Sequence, residues 1–475
     1  MVGCAVGPDF KTPEPVAVSR YTATPIAEET VSTEVPGGRA QRFTSERDIP
    51  AEWWTLFQCE ALDVLVRRAL TDSPRLAQAK ARLAQAEEQF GGRRGSLRYP
   101  QVDASVSSNR IDIDSDAFNS PGLGADFPLT LSLASVSVSY TLDVFGRNRR
   151  ELENLQAAVD YEQFELEAAR LMIAGNVVTA AIEEASLRQQ IEQTEAAVDI
   201  EAQQVKIIEG LERLGSVPEL DLVTQNAELA RTRSQLPLLA QRLEQTRHRL
   251  AVYLGVAPGE AQLPEFRLAD LKLPAELPLS VPSELARQRP DVRAAEALLH
   301  EASARVGVAT ANVYPRFTLS AQAGALAISP LVSGTPAFAL LAASIAAPLF
   351  HGNELKAQKR VAVAAFDQAG AAYQEVVLAG LQNVADAMVA LDADAKTLHD
   401  RAEAATLTQR AYGITSQQYE MGGVSLLVML DAQRQQLAAS LDETQAIRNR
   451  FADTAALFQA LGGGWWTADA SKNSP

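Results

Sequence analysis

Ala337-Phe-Ala-Leu-Leu-Ala-Ala-Ser-Ile-Ala-Ala347 is the stretch on which the fold turns. No Asp, Glu, Lys or Arg lies between Arg316 and Glu354, which invites a membrane-spanning helix. Pro330, Pro336 and Pro348 divide that region and leave an apolar piece of 11 residues. A spanning helix needs about 20 residues, whereas a tilted transmembrane β-strand needs about 9–11. The stretch therefore reads as a strand of an outer-membrane barrel.

Three companions flank it. Phe317-Thr-Leu-Ser-Ala-Gln-Ala, Val102-Asp-Ala-Ser-Val-Ser-Ser and Leu129-Thr-Leu-Ser-Leu alternate at period two, as strands do. The last slips phase at Ala134-Ser135 and resumes as Val136-Ser-Val-Ser-Tyr-Thr-Leu142. A one-residue slip turns later side chains to the other face, so the slip predicts a bulge. Four strands cannot close a barrel, and an open edge in lipid costs several kcal/mol per unpaired group. The strands either lie in a soluble sheet or are completed by other copies; three copies give twelve, within the known range. The polar stretches from Ile111 to Pro128 and from Ser329 to Pro336 would be outward-facing turns.

The order of elements recurs. Strands from Tyr99-Pro100 lead through Phe145-Gly146 to a long Pro-free helix, which breaks at Leu214-Gly215-Ser216-Val217 before a second helical run. The same order returns from Tyr314-Pro315, through Phe350-His351-Gly352, to Met421-Gly422-Gly423-Val424. An internal repeat constrains architecture before any single residue is interpreted. The chain divides into an extended N-terminal arm (1–50), a first repeat (51–260), a second repeat (261–461) and a C-terminal tail (462–475). From Trp53 to about Gly91 the chain reads as helix, with Leu62, Leu65, Val66 and Ala69 on its apolar face.

Each long helix carries stripes at spacing seven. Leu152, Val159, Leu166, Ile173, Ala180 and Leu187 form one stripe; Ala157, Phe164, Leu171, Val178 and Ala185 form another about 150° away. A helix with two seams has a neighbour on each side, as a stave does in a barrel wall. Val363, Gly370, Val377, Val384, Leu391, Leu398, Ala405, Tyr412 and Tyr419 repeat the pattern. From Phe145 to Leu214 such a helix extends roughly 100 Å at 1.5 Å per residue, several bilayer thicknesses.

Bulk properties exclude other classes. A net charge of −16 leaves no basic stripe for nucleic acid. Two cysteines make neither a disulfide framework nor a metal cluster, and Cys59 reads as a small buried apolar residue. His248, His300, His351 and His399 each sit without a ligand-spaced partner. Glu183-Glu184 and Asp392/Asp394 read as solvated helix faces. No catalytic residue, metal site or cofactor is expected, and the chain is not expected to be an enzyme.

In combination these residues resemble the TolC-like outer-membrane efflux proteins, in particular the lipoprotein branch serving tripartite RND-type pumps. The resemblance rests on the order of several segments. They are Cys4-Ala-Val-Gly-Pro-Asp-Phe-Lys-Thr-Pro13, Trp53-Trp-Thr-Leu-Phe57, Tyr140-Thr-Leu-Asp-Val-Phe-Gly-Arg147 and Arg289-Pro-Asp-Val-Arg293, followed by Ala347-Pro-Leu-Phe-His-Gly352, Leu430-Asp-Ala-Gln-Arg434 and Ala460-Leu-Gly-Gly-Gly-Trp465. It implies a mostly α protein with a transmembrane β-barrel. A homotrimer would form a 12-stranded β-barrel in outer-membrane lipid, joined to a 12-helix periplasmic α-barrel.

Further expectations come with the resemblance. The protein would be a passive duct in the outer membrane of a Gram-negative bacterium, exporting small toxic compounds such as drugs or metals. Its partners would be a periplasmic adaptor (membrane fusion) protein and an inner-membrane RND-type transporter. The adaptor-contacting tips would be Leu214, Gly215, Ser216 and Val217, with Met421, Gly422, Gly423, Val424 and Ser425; Tyr412 and Tyr419 would constrict the channel. Some relatives place an aspartate ring near this tip, where Val424 and Ser425 stand here. Cys4 would carry diacylglycerol and an N-acyl group, more than one chain giving a stable anchor. An export leader needs about 15–30 residues, so the three before Cys4 imply that the leader is missing or the start misplaced. A duct for protein or peptide secretion is the alternative, with a soluble periplasmic coiled-coil scaffold behind it.

Overall fold

The computed structural model describes residues 5–14, 18, 20–45, 48–113, 127–329 and 334–467. Two compact units are distinguished by their internal contacts: residues 1–12, 82–162 and 295–373 form the first, and residues 13–81, 163–294 and 374–475 the second.

The first unit is built on a four-stranded antiparallel sheet. Its strands are β2 (Gln101–Ile113), β3 (Phe127–Leu142), β5 (Arg316–Ser329) and β6 (Ala337–Ala346), in the order β2-β3-β5-β6. Three coincide with the alternating segments of the sequence, and the fourth, β6, with the apolar run. The 11-residue apolar run is a strand, divided from β5 by the proline-containing connection. Residues 114–126 and 330–333, which hold most of the expected outward turns, lie outside the described residues.

The bulge expected at Ala134-Ser135 is not formed. Ser105 pairs with Ser135 and Val106 with Ala134, and β3 pairs with β5 without interruption from Thr130↔Ser329 to Leu142↔Phe317. With the ladder unbroken, the phase slip changes which face is apolar. Near the helical end of β3, Val136, Val138, Tyr140 and Leu142 share one face, opposite Ser135, Ser137, Ser139 and Thr141. Toward the hairpin the pattern inverts: Leu129, Leu131 and Leu133 continue the serine face, and Thr130 and Ser132 the valine face. β5 changes at the paired level, because Gln322, Gly324, Leu326 and Ile328 lie beside Ser137, Ser135, Leu133 and Leu131. Gly324 permits the close fit there, since a Cβ on it would stand 2.3 Å from the Ala134 carbonyl oxygen.

Below the sheet, Phe145 stacks on Tyr314 at 4.7 Å, and Arg147 donates to Asn312 at 2.9 Å. The arm is held here as well. Val6 N–H donates to the Phe145 carbonyl, and Asp9 pairs at 2.7 Å with buried Arg150, which also binds Glu153. His300 meets Glu153 at 2.9 Å and stacks on Phe10.

The second unit is helical around a small parallel pair, β1 (Arg42–Ser45) with β4 (Glu276–Leu279). The opening helix is α1 (Glu60–Asp72), and Pro74 starts α2 (Pro74–Arg98) as a separate helix. Leu62, Leu65, Val66 and Ala69 are all buried, as their spacing required. Trp53 stacks on Phe458 at 5.4 Å, and Phe57 lies 6.2 Å from Phe451. Cys59 is half-buried at the start of α1 rather than enclosed.

Two helices of 67 residues, α3 (Arg147–Arg213) and α8 (Glu354–Glu420), contribute to both units. The returns are α4 (Glu219–Arg233) with α5 (Leu236–Tyr253), and α9 (Leu426–Ala460). The α4–α5 break falls beside Pro237, which lacks the N–H a continuous helix needs. From Ile173 to Leu187 both stripes of α3 are buried: Ile173, Ala180 and Leu187 on one, Val178 and Ala185 on the other. On α8, Val377, Val384, Leu391 and Leu398 are buried, whereas Val363 is 40% exposed. The remaining helices are α6 (Pro282–Gln288) and α7 (Pro290–Ala311).

Candidate functional site

The two tips are built alike. α3 ends in Gly215 at φ 73° and α8 in Gly422 at φ 74°. The Gly215 N–H donates to the Glu212 carbonyl and the Ser216 N–H to that of Leu211. At the other tip Gly422 donates to Tyr419 and Gly423 to Gln418. This pattern satisfies the last helix carbonyls through a left-handed residue, which glycine adopts without penalty. Space does not impose the choice, for a Cβ at either glycine would meet nothing within 4 Å.

The turns expose apolar side chains. Leu214 is 79% and Met421 78% exposed, and Gly215, Ser216, Gly422, Gly423 and Ser425 are also exposed. Val217 and Val424 are half-buried, and Ser425 caps α9 without a side-chain hydrogen bond. The Pro218 and Ser425 caps hold extended backbone, so both returns begin abruptly.

Behind the turns lies one cluster of Ile208, Leu426, Met429 and Leu430, against which Val217, Leu222, Tyr412 and Tyr419 pack. Its members come from α3, α4, α8 and α9, so it pins the four helices of one copy together. Both expected constriction tyrosines therefore share a site with Val217 of the first tip.

A polar layer adjoins this cluster, and the sequence reading did not single it out. Gln225 Nε2 donates to Gln204 Oε1 at 3.0 Å, and Tyr412 hydrogen-bonds Gln204. Thr232 Oγ1 donates to buried Glu201 at 3.0 Å. Burial raises the Glu201 carboxyl above its ordinary value, against the Thr232 hydrogen bond and with Glu228 adding to the rise. Burial likewise raises both phenols, Tyr412 and Tyr419, with Glu201 and Asp221 respectively reinforcing the shift. The signal that could have found this layer is the run of Gln and Glu at helical spacing inside otherwise apolar stripes.

Of the carboxylates read as solvated, Glu184 is enclosed, and Asp394 is half-buried with its Oδ2 shielded from solvent. Glu184 is fully buried and accepts from Arg188 at 2.9 Å and Arg247 at 2.5 Å, with Arg188 also near Glu265. Asp394 is pushed up to about 7, first by burial and then by Asp453, which hydrogen-bonds it. Arg450 is fully buried and donates to Thr30 and to the Arg39 carbonyl, while its Nε and Nη1 find no partner. Burial lowers that guanidinium to about 10, with Asp394 opposing the change. Glu183 and Asp392 behave as expected of partly exposed groups, pairing with Arg448 and Lys396.

Among the described residues no three His, Cys, Asp or Glu side chains converge to hold a metal ion. Cys4, the expected lipidation site, lies outside the described residues.

Comparison with known proteins agrees with this architecture. The family model described as outer membrane efflux protein matches residues 65–256 and 281–463. The pyoverdine export outer membrane protein OpmQ of Pseudomonas putida is 27% identical over 434 residues, 90% of each chain. The toluene efflux pump outer membrane protein TtgC, from another strain of Pseudomonas putida, is 26% identical over 484 residues, covering 99% of this chain and 95% of TtgC. Among solved structures, the outer-membrane channel OprN matches with a TM-score of 0.84 at 27% identity, over 97% of this chain and 100% of that chain.

Proposed function

The chain belongs to the outer membrane efflux protein family, and we propose that three copies of it close into a passive duct serving a tripartite pump. It is an outer-membrane protein of a family of channels rather than of enzymes. The observation that carries the proposal is the open sheet. β2 and β6 are its outermost strands, each paired on one side only. Lipid cannot satisfy the free edges, so β6 of one copy pairs with β2 of the next, and three copies give twelve strands.

The helices make the same demand. Val361, Leu378, Val389, Leu407 and Ile414 of α8 are exposed, off the buried stripe of Val377, Val384 and Leu391. A neighbouring copy covers them, completing a wall of twelve helices across the periplasm and a two-fold repeat within each copy. Each copy divides into the arm (1–50), the two repeats (51–260 and 261–461) and the tail (462–475). Cys4, if acylated, adds an anchor to that of the barrel.

At the periplasmic end the exposed Leu214 and Met421, with the turns through Val217 and Ser425, form knobs for the periplasmic adaptor. Tyr412 and Tyr419 hold the closed end, and opening splays the four helices that their cluster joins. The inner-membrane transporter supplies energy and most of the substrate choice. The cargo is a small compound of the kind named for the relatives, pyoverdine or toluene. Planar-bilayer recording tests this: the reconstituted protein should be nearly silent and conduct once the tyrosine cluster is cut. A protein extracted without detergent contradicts it.

A further inference from the structure

We propose that Arg450 is a proton-operated clasp for the N-terminal arm: it holds Thr30 and Arg39 while Asp394 and Asp453 share a proton, and turns to the two carboxylates once that proton leaves. Every residue involved belongs to the second unit of one chain, so the inference does not depend on trimer formation.

Arg450 fastens a segment of the arm. Its Nη2 donates to Thr30 Oγ1 at 2.8 Å and to the Arg39 carbonyl at 2.9 Å. One turn further along α9, Thr454 Oγ1 accepts from Gln41 Nε2 at 3.2 Å, and the same nitrogen donates to the Pro274 carbonyl at 3.1 Å. The Thr30 N–H donates to the Gln41 carbonyl at 2.9 Å, and the Gln41 N–H to Thr30 Oγ1 at 3.0 Å, which closes the loop between them. Gly37 within that loop lies against Phe451 and Ile447. The arm thus covers α9 from Ile447 to Thr454, and Arg450 stands in the middle of that contact.

The guanidinium is only partly used. It carries five N–H donors, and those on Nε and Nη1 find no partner although the residue is fully buried. Asp394, on α8, has a buried Oδ2 that is unpartnered as well. The cation and the carboxyl group act on each other electrostatically, yet each is held by something else, Arg450 by the arm and Asp394 by Asp453. An ionised carboxylate is a stronger acceptor for a guanidinium than a hydroxyl or a peptide carbonyl. Low polarity in the interior magnifies that difference.

Charge on the acidic pair decides between the two holds. One shared proton leaves a single negative charge on Asp394 and Asp453, and its loss leaves two side by side. Burial, then Asp453, push the Asp394 carboxyl up to about 7, so the change falls near neutral pH. The other charges facing Asp394 are Arg450 and Arg448 of α9, and Arg448 is itself paired at 3.1 Å with Glu183 of α3. Rising pH therefore draws Arg450 from Thr30 and Arg39 and loosens the arm, and falling pH restores it. Because α9 also carries Leu426, Met429 and Leu430 of the tip cluster, the clasp bears on how firmly that helix is held.

Hydrogen exchange of residues 28–42 in the full-length protein in detergent reads the clasp. Rates are taken as the ratio of wild type to Asp394→Asn at the same pH. This cancels the intrinsic pH dependence of exchange, and the variant keeps one negative charge on the pair throughout. The ratio should be near one at pH 6 and rise severalfold at pH 8. Asp453→Asn supplies the same comparison should Asp394→Asn fail to fold. A ratio of one at pH 8 overturns the proposal. So does an equal rise over residues 62–69 of α1, which shows a general loosening of the unit. In an Arg450→Gln background the ratio should stay near one at both pH values, and a persisting rise overturns the clasp by showing that the proton acts without Arg450.

Discussion

Tyr412→Ala with Tyr419→Ala should open the periplasmic end. Each ring packs against the Ile208–Leu426–Met429–Leu430 cluster, which joins four helices of one copy. Truncating a fully buried aromatic costs about 3–5 kcal/mol. These rings are half-buried, so roughly 2 kcal/mol each is expected. That is about a thirtyfold shift toward the splayed form per substitution at ~1.4 kcal/mol per factor of ten. The control is Tyr412→Phe, which keeps the ring and removes only the contact with Gln204, worth about 1 kcal/mol. Planar-bilayer conductance should rise in the order wild type, Tyr412→Phe, Tyr412→Ala, double variant. A double variant that melts earlier but remains as silent as wild type refutes the reasoning, because the cluster would then support the fold without holding the end closed.

Other outcomes follow from the buried charges and the sheet. Glu184→Gln leaves Arg188 and Arg247 facing a neutral group and should lower stability by about 3–5 kcal/mol, while Glu183→Gln, at a partly exposed pair, should change it by less than about 1 kcal/mol; thermal melting in detergent compares them. Asp394 binds its proton more tightly folded than unfolded, so stability should grow as pH falls through about 7 toward the ordinary carboxylate range and shrink as pH rises. Asp394→Asn should flatten that dependence, which melting between pH 5 and 8 would read. Gly324→Val drives side-chain atoms into the Ala134 carbonyl and the Ser135 side chain, and at about 1–3 kcal/mol for overpacking it should reduce the yield of assembled particles on gel filtration.

The elements were legible because each buries one face at a fixed period. Strands and long helices fell where alternation and spacing seven placed them, and Pro330, Pro336 and Pro348 correctly excluded a spanning helix at 337–347. The bulge failed for a physical reason. A hydrophobic phase slip can be absorbed by an extra residue or by an exchange of apolar faces, and one strand alone does not distinguish them. The pairing of Ser135 with Gly324 does, since β5 changes phase at the same rung. Glu184 and Asp394 were misread because a helix flanked on two sides keeps little solvent face, a consequence already contained in its two stripes. Glu201, Gln204 and Gln225 went unnoticed because their partners lie across a hairpin rather than at helical spacing, Gln225 and Thr232 on α4 facing Gln204 and Glu201 on α3, with Tyr412 reaching Gln204 from α8.

The central claim is that this sheet and these helices are completed by two further copies. Mass measurement of the detergent-extracted particle, with bound detergent subtracted, tests it most directly. The account predicts three times the 51.1 kDa chain. A stable particle of one chain, folded and dispersed in water without detergent, contradicts it.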